Sequence, residues 1–444
     1  MKSIPVKLHQ TLHIWLFIVL IGLITGFYIW GINLVPFHPD ESTYLFMSSD
    51  FDLLIHNPLA MAWKPELEGD QRQRYRELDA PLTRYILGFG RSLSNIPALP
   101  VDWDWSKTWQ QNQEAGAVPG NKLLFTGRLV VTLLLPLSLA LLYFTGKAIG
   151  NRSTGLLAVT LFGSNALILL HTRRAMAEGA LVFGVTLSLW SFIQGDRRPW
   201  LSGLAVALAF CAKQSALALL PAGIFAVGWV RTDKPHWIGK STVNIIQYLG
   251  AFVVLTLVLN PLYWSSPIKA IQRSWEARNE LLGRQTRDAL ALAPEQILQT
   301  PGKRAAVLIV NLFIVPPSFA EVGNYSAQTA ISERNYLSTP GYDLGRGLAG
   351  GSVLLFMTLT GILMSGLRVF KSEHYQKRAL LLLMIATVFQ AIALLIAVPL
   401  PWQRYVIPLV PFVCIWTAYG VMSLLAMLKE AMEFPHRTER TISN

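Results

Sequence analysis

The sequence predicts an all-α polytopic membrane protein, on three observations. Hydrophobic residues make up 52% of the 444 and charged residues only 14%, where a soluble domain carries about 25% charged. Mean hydropathy is +0.40. Several apolar runs approach the roughly 20 residues that cross a bilayer as a helix. The first run, 12–34, is too long for the core of a signal peptide and lacks a small-residue cleavage site, so it reads as a retained span.

Spans are expected near 12–34, 123–145, 154–171, 179–194, 200–212, 215–230, 242–263, 348–367, 379–398 and 405–428, about ten in all. The two short pieces 200–212 and 215–230 meet at Lys213-Gln214 and read as a helical hairpin that need not cross fully.

Charge placement then sets orientation. The net charge of +12 is carried largely in short loops and ends, which argues against nucleic acid and for topology. Lys2, Lys7, Lys147, Arg152, Arg197, Arg198, Arg231, Lys234, Lys240, Arg368, Lys371, Lys377, Arg378, Lys429, Arg437 and Arg440 fall on one set of ends. Those ends are cytoplasmic by the positive-inside rule, with both termini inside. One transmembrane unit over 1–428 follows, with a cytoplasmic tail at 429–444 and two long outer loops, about 35–121 and 264–344. Stretches 77–93 and 274–292 read as amphipathic helices on the outer face. Trp103/Trp105 and Tyr263/Trp264 fit an interfacial aromatic belt. Cys211 and Cys414 lie in apolar segments and form neither a disulfide framework nor a metal motif.

Four polar clusters fall at the outer ends of spans. Asp40 and Glu41 follow the first span. Ionisable residues at a membrane boundary are costly, so the pair marks a site: a general base with an orienting neighbour, or oxygen ligands for a hard divalent cation. The run His171 to Glu178 carries Arg173 and places Glu178 at the start of an apolar helix, where the dipole favours an anion. Lys213 interrupts a long apolar region and needs a cavity or an anionic partner. Arg404, in Pro401-Trp402-Gln403-Arg404-Tyr405, can fork onto phosphate oxygens. Each cluster also has a plain interfacial reading, as a solvated loop pair or an Arg and Trp anchor. Together, carboxylates and cations on one face suit transfer of a group from a phosphate leaving group to a hydroxyl or amine. That describes glycosyl transfer from a polyprenyl-phosphate sugar.

The ordered set of motifs resembles the GT-C glycosyltransferases of the protein O-mannosyltransferase and aminoarabinose transferase superfamily. Pro39 to Tyr44 resembles the acidic motif of the first outer loop, Asp79-Ala80-Pro81-Leu82 the His-Pro-Pro-Leu segment, and Gly127-Arg128-Leu129-Val130 the start of the second span. Arg173 to Glu178 resembles Arg-x-Ala-Met-x-Asp with Glu for Asp. Ala212-Lys213-Gln214-Ser215 resembles the Thr-Lys segment, and Arg404-Tyr405 with Pro408 and Pro411 the closing motif. The resemblance implies a GT-C bundle capped by outer-face helices and inverting transfer from a dolichyl- or undecaprenyl-phosphate sugar. It implies a catalytic set of Asp40, Glu41 and Glu178, with Asp40 as base, Glu41 beside it and Glu178 as a second acid, and it implies Lys213 and Arg404 on the lipid phosphate. Arg173 joins them as a further phosphate-binding candidate. Some members bind a divalent metal; the sequence gives little reason to assert one here, and Asp40 and Glu178 are the residues that would hold it if one is bound. Expected partners are the lipid-linked donor and a lipid, glycan or protein acceptor. The competing readings are a transporter or flippase for a lipid-linked or anionic substrate, and a non-catalytic assembly subunit.

Overall fold

The structure, a computed structural model, describes residues 6–229, 237–321, 323–370 and 374–442. Lys2, Arg231, Lys234 and Lys371, and the side chains of Lys7, Arg437 and Arg440, all used to argue orientation, lie outside the described residues. Every regular element among the described residues is helical.

The chain opens with α1 (Val6–Trp30), which continues through a 3-10 turn to Leu34. A connecting segment carries α2 (Pro39–Met47), α3 (Asp50–His56), α4 (Gln71–Leu78), α5 (Leu82–Leu93) and α6 (Trp109–Glu114). Next come α7 (Asn121–Thr132) and α8 (Leu135–Ile149), the expected second span. It is interrupted at Leu133–Leu134, where Pro136 in the first turn of α8 offers no N–H. The third span is also divided, into α9 (Arg152–Gly163) and α10 (Ala166–His171). The Asn165 carboxamide caps α10 by accepting the N–H groups of Leu167 and Ile168. Then follow α11 (Ala177–Ile193), α12 (Pro199–Ala212), α13 (Leu219–Gly228) and α14 (Trp237–Leu259). A second connecting segment holds α15 (Pro267–Leu292), α16 (Pro301–Ile309) and α17 (Ser326–Ser338), before α18 (Gly347–Val369), α19 (His374–Ala397) and α20 (Val410–Ile442).

Among the described residues, six apolar stretches are long enough to cross a membrane: His13–Leu34, Asn121–Ile149, Ile238–Leu259, Gly347–Val369, Tyr375–Ala397 and Gln403–Met432. Three shorter apolar helices, α11 to α13, pack among them. Large apolar side chains such as Leu23, Ile246, Val254, Phe356 and Leu363 are exposed on the long helices. A surface of that kind is built for lipid, and the chain is an integral membrane protein. The core gathers α8, α9, α11 and α20, with Leu139, Phe162, Ala180 and Ile415 fully enclosed. Helices α18 and α20 approach through facing glycines. A Cβ on Gly361 would meet the Trp416 carbonyl at 1.9 Å, and one on Gly420 the Met357 carbonyl at 2.1 Å.

Two expectations need correction. The stretch 77–93 is not one interfacial helix but the end of α4 and all of α5, divided at Asp79-Ala80-Pro81 because a residue before proline is pushed out of the helical region. Its arginines do not reach head groups. Arg84 lies 3.4 Å from Asp50, which also holds Arg76 at 2.7 Å, and Arg91 pairs with Asp52. Trp103 is not in an exposed belt either. It is buried against Phe37, Trp105, Trp109 and Tyr325. In contrast α15 runs over the surface as expected, with Ile268 and Trp275 exposed.

Candidate active site

The site is built on the first turn of α2. His38 caps that helix: its Nδ1 accepts the Asp40 N–H at 3.1 Å, while its own N–H donates to Glu41 Oε2 at 3.1 Å. Pro39 occupies the first helical position, where a missing N–H costs nothing. With Nδ1 accepting, the ring proton lies on Nε2 and donates to Glu321 Oε2 at 2.8 Å. The local sequence His-Pro-Asp-Glu therefore fixes both acids on a helix start, each facing a different way.

Glu41 faces inward and is completely buried. Besides the His38 N–H, Arg128 of α7 grips it through two bonds of 2.7 Å, and the Ala175 N–H adds another at 2.9 Å. The other guanidinium donors reach the carbonyls of Ile32 at 3.0 Å and Val35 at 2.8 Å. Burial pushes the Glu41 carboxyl up, but Arg128 outweighs it and holds the group below its usual range. Gly127 lets α7 come this close: a Cβ there would meet Leu45 at 2.9 Å.

Asp40 faces a partly open region, its side chain 24% exposed, and pairs with Arg404. Arg404 lies on the 3-10 segment Gln403–Leu409, stands 5.2 Å over the Trp402 ring, and has Glu321 Oε1 at 3.3 Å from its Nε. Glu321 was not anticipated. It comes from the second connecting segment, whose turn is fastened to the Arg404 strand of chain. Ser318 N–H donates to Gln403 Oε1 at 2.6 Å, Gln403 Nε2 donates to the Pro316 carbonyl at 2.8 Å, and Arg174 donates to the Phe319 carbonyl at 2.9 Å. Burial pushes the Glu321 carboxyl up. Arg404 and His38 outweigh it and hold the group well below its usual range.

Glu178 begins α11 and is buried, with Lys213 Nζ 2.7 Å from Oε1. Its Oε2 has no hydrogen-bond partner among the described residues. Lys213 stands at the break between α12 and the 3-10 turn Gln214–Ala218, which confirms the interrupted hairpin read from the sequence. Gln214 Nε2 donates to the Leu78 carbonyl at 3.3 Å, bringing the end of α4 alongside. There Asp79, the C-cap of α4, is half-buried, and burial pushes its carboxyl up. Asp40, Asp79, Glu178 and Arg404 all act electrostatically on Tyr44, one turn below Asp40 on α2.

Asp40, Glu178, Lys213 and Arg404 thus share one neighbourhood, and Glu41 supports it from behind. Arg173 is not brought there. It is fully buried in the opposite direction, donating to the Phe27 carbonyl at 2.9 Å with its guanidinium 4.5 Å from the Tyr28 ring and 5.2 Å from the Tyr342 ring. Its expected phosphate contact is replaced by a cation–π cage. Among the described residues no three His, Cys, Asp or Glu side chains gather as metal ligands. The two candidates, Asp40 and Glu178, each face a cation of the chain instead.

Residues 117–264 match the family model described as dolichyl-phosphate-mannose-protein mannosyltransferase. No protein with a curated description matches the sequence. Among solved structures, the archaeal oligosaccharyltransferase AglB of Archaeoglobus fulgidus, bound to an inhibitory peptide and a dolichol-phosphate, aligns at 12% identity with a TM-score of 0.51. The match covers 96% of this chain and 52% of that one. The A. fulgidus oligosaccharyltransferase in its apo form aligns at 12% identity and a TM-score of 0.52, over 94% of this chain and 52% of that one. The chain spans about half the length of these proteins. What the likeness carries is the fold.

Proposed function

This chain is a membrane protein of the GT-C glycosyltransferase fold, and we propose that it is an inverting transferase that moves a sugar from a polyprenyl-phosphate donor to an acceptor. The observation that carries the reading is the contrast within one turn of α2. Glu41 is saturated by Arg128, whereas Asp40 is partly exposed and held by an arginine.

In this reading Asp40 is the general base. It takes the proton of an acceptor hydroxyl or amine as the acceptor atom attacks the anomeric carbon. The bond from that carbon to the phosphate oxygen breaks on the opposite side, its electron pair leaves with the lipid phosphate, and configuration inverts. Arg404 and Lys213 meet the charge developing on the phosphate. Each is held ready by carboxylates, Arg404 by Asp40 and Glu321 and Lys213 by Glu178. Glu41 becomes a positioning residue rather than the catalytic one expected from the sequence, and Arg173 holds α1 in place. The family model and the dolichol-phosphate held by the archaeal protein support a lipid-phosphate donor. The basic short loops support an extracytoplasmic site with both termini inside. The acceptor is a lipid, glycan or protein.

The test is sugar transfer by purified, reconstituted protein from a radiolabelled panel of polyprenyl-phosphate sugars to a crude membrane extract. Transfer by the wild type that is lost with Asp40→Asn supports the reading. Undiminished transfer by Asp40→Asn sinks the assignment of the base.

A further inference from the structure

A second cavity adjoins the site without belonging to it. It is an open cleft of about 610 Å³ behind the residues that lead into α2. Val35, Pro36 and Phe37 form one wall, Leu124 and Phe125 of α7 another, and Asn33, Asn121, Lys122 and Ser332 supply polar groups. Arg128, which lines the floor, is the same residue that grips Glu41. Phe37 separates the cavity from the His38 cap by a single step of the chain, with its ring packed 5.6 Å from Trp109.

Three features define what fits. The cavity lies where two membrane stretches begin or end, His13–Leu34 and Asn121–Ile149, so it opens at the depth of lipid head groups. Trp30, 62% exposed just before it, is an interfacial anchor for that depth. The lining mixes apolar side chains, Val35, Pro36 and Phe37 before α2 and Leu124 and Phe125 of α7, with the hydrogen-bonding groups of Asn33, Asn121, Lys122 and Ser332, as an amphipathic molecule requires. Its formal charge is unbalanced: Lys122 is exposed and makes no ion pair with any described carboxylate, while Arg128 is already committed.

We propose that this cavity holds the anionic head group of a membrane lipid, with Lys122 pairing its phosphate and Asn33, Asn121 and Ser332 binding its hydroxyls.

The experiment is native mass spectrometry of the full chain in detergent with phosphatidylglycerol as the probe. Wild type and Lys122→Arg should retain the lipid. Lys122→Glu and the cavity-filling Ser332→Trp should weaken retention about tenfold or more, with thermal unfolding unchanged. Phosphatidylcholine should be retained less, and excess glycerol phosphate should not displace the bound lipid. Equal retention by wild type and Lys122→Glu, equal retention of phosphatidylcholine, or displacement by glycerol phosphate would overturn the proposal. Retention is read without any transfer, so it stands or falls separately from the glycosyl-transfer reading. Asp40→Asn should lose transfer and keep the lipid.

Discussion

The two faces of α2 carry adjacent carboxylates that the structure treats in opposite ways. Behind the helix, Glu41 is buried under four charge-assisted or backbone bonds, and its arginine also reaches nearby carbonyls. In front, Asp40 remains 24% exposed and shares Arg404 with Glu321. The back face is assembled from α7 and the turn before α11, elements packed rigidly in the bundle. The front face is assembled from the ends of segments: a 3-10 stretch, a loop and a helix break. A saturated buried pair holds a helix in place, while an incompletely enclosed one can exchange partners with a substrate. Proximity in sequence therefore says little about shared role.

The comparison is broken most directly by Arg128→Met, which strands Glu41 without its partner. Uncompensated burial of one charge costs about 3–5 kcal/mol, so thermal unfolding in detergent should show severe destabilisation or loss of folded protein. A fold that tolerates the change would make the back face ordinary. Asp40→Asn should do the reverse. Transfer should fall by about 10²- to 10⁴-fold, the contribution of a general base, with the unfolding temperature unmoved.

Arg404→Lys sharpens the front face. A lysine keeps the charge but cannot fork between Asp40 and Glu321, so the maximal transfer rate should fall by about tenfold or more, a loss of roughly 1.4 kcal/mol. Full activity would mean that charge alone suffices.

A smaller effect is expected from pH. The Glu321 carboxyl is depressed in the folded protein, so its contribution to holding the second connecting segment is complete above the ordinary carboxylate value and is lost as pH falls through the lower folded value. Hydrogen exchange across 315–321 should stay protected at pH 5 and loosen only in stronger acid. Loosening already at pH 6 would contradict the pairing. Glu321→Gln should remove this acid dependence.

The membrane class was legible because composition and run length follow directly from the bilayer. The interruption at Lys213 was legible too, since a charge flanked by Phe210, Cys211 and Ala212 cannot continue a lipid-facing helix. Asp40, Glu178, Lys213 and Arg404 stood out as candidates because each marks the end of an apolar run. Glu321 did not, since it lies in a loop of ordinary polarity and meets His38 and Arg404 only because Gln403, more than 80 residues on, and Arg174 fasten the neighbouring Ser318 and Phe319. Arg173 and Arg174 are neighbours of the same type, and only packing sends one to α1 and the other to the second loop. The divided spans were missed because an apolar run looks continuous even where Pro136 or Asn165 resets the helix.

The most direct measurement reads Asp40→Asn and Glu41→Gln side by side in reconstituted protein, scoring sugar transfer and unfolding temperature for each. The account predicts that Asp40→Asn loses transfer at an unchanged unfolding temperature, whereas Glu41→Gln lowers the unfolding temperature. It also predicts that the Glu41→Gln protein that remains folded still transfers sugar. Equal loss of transfer in both variants at unchanged stability would contradict it, because the two carboxylates would then act as one catalytic pair.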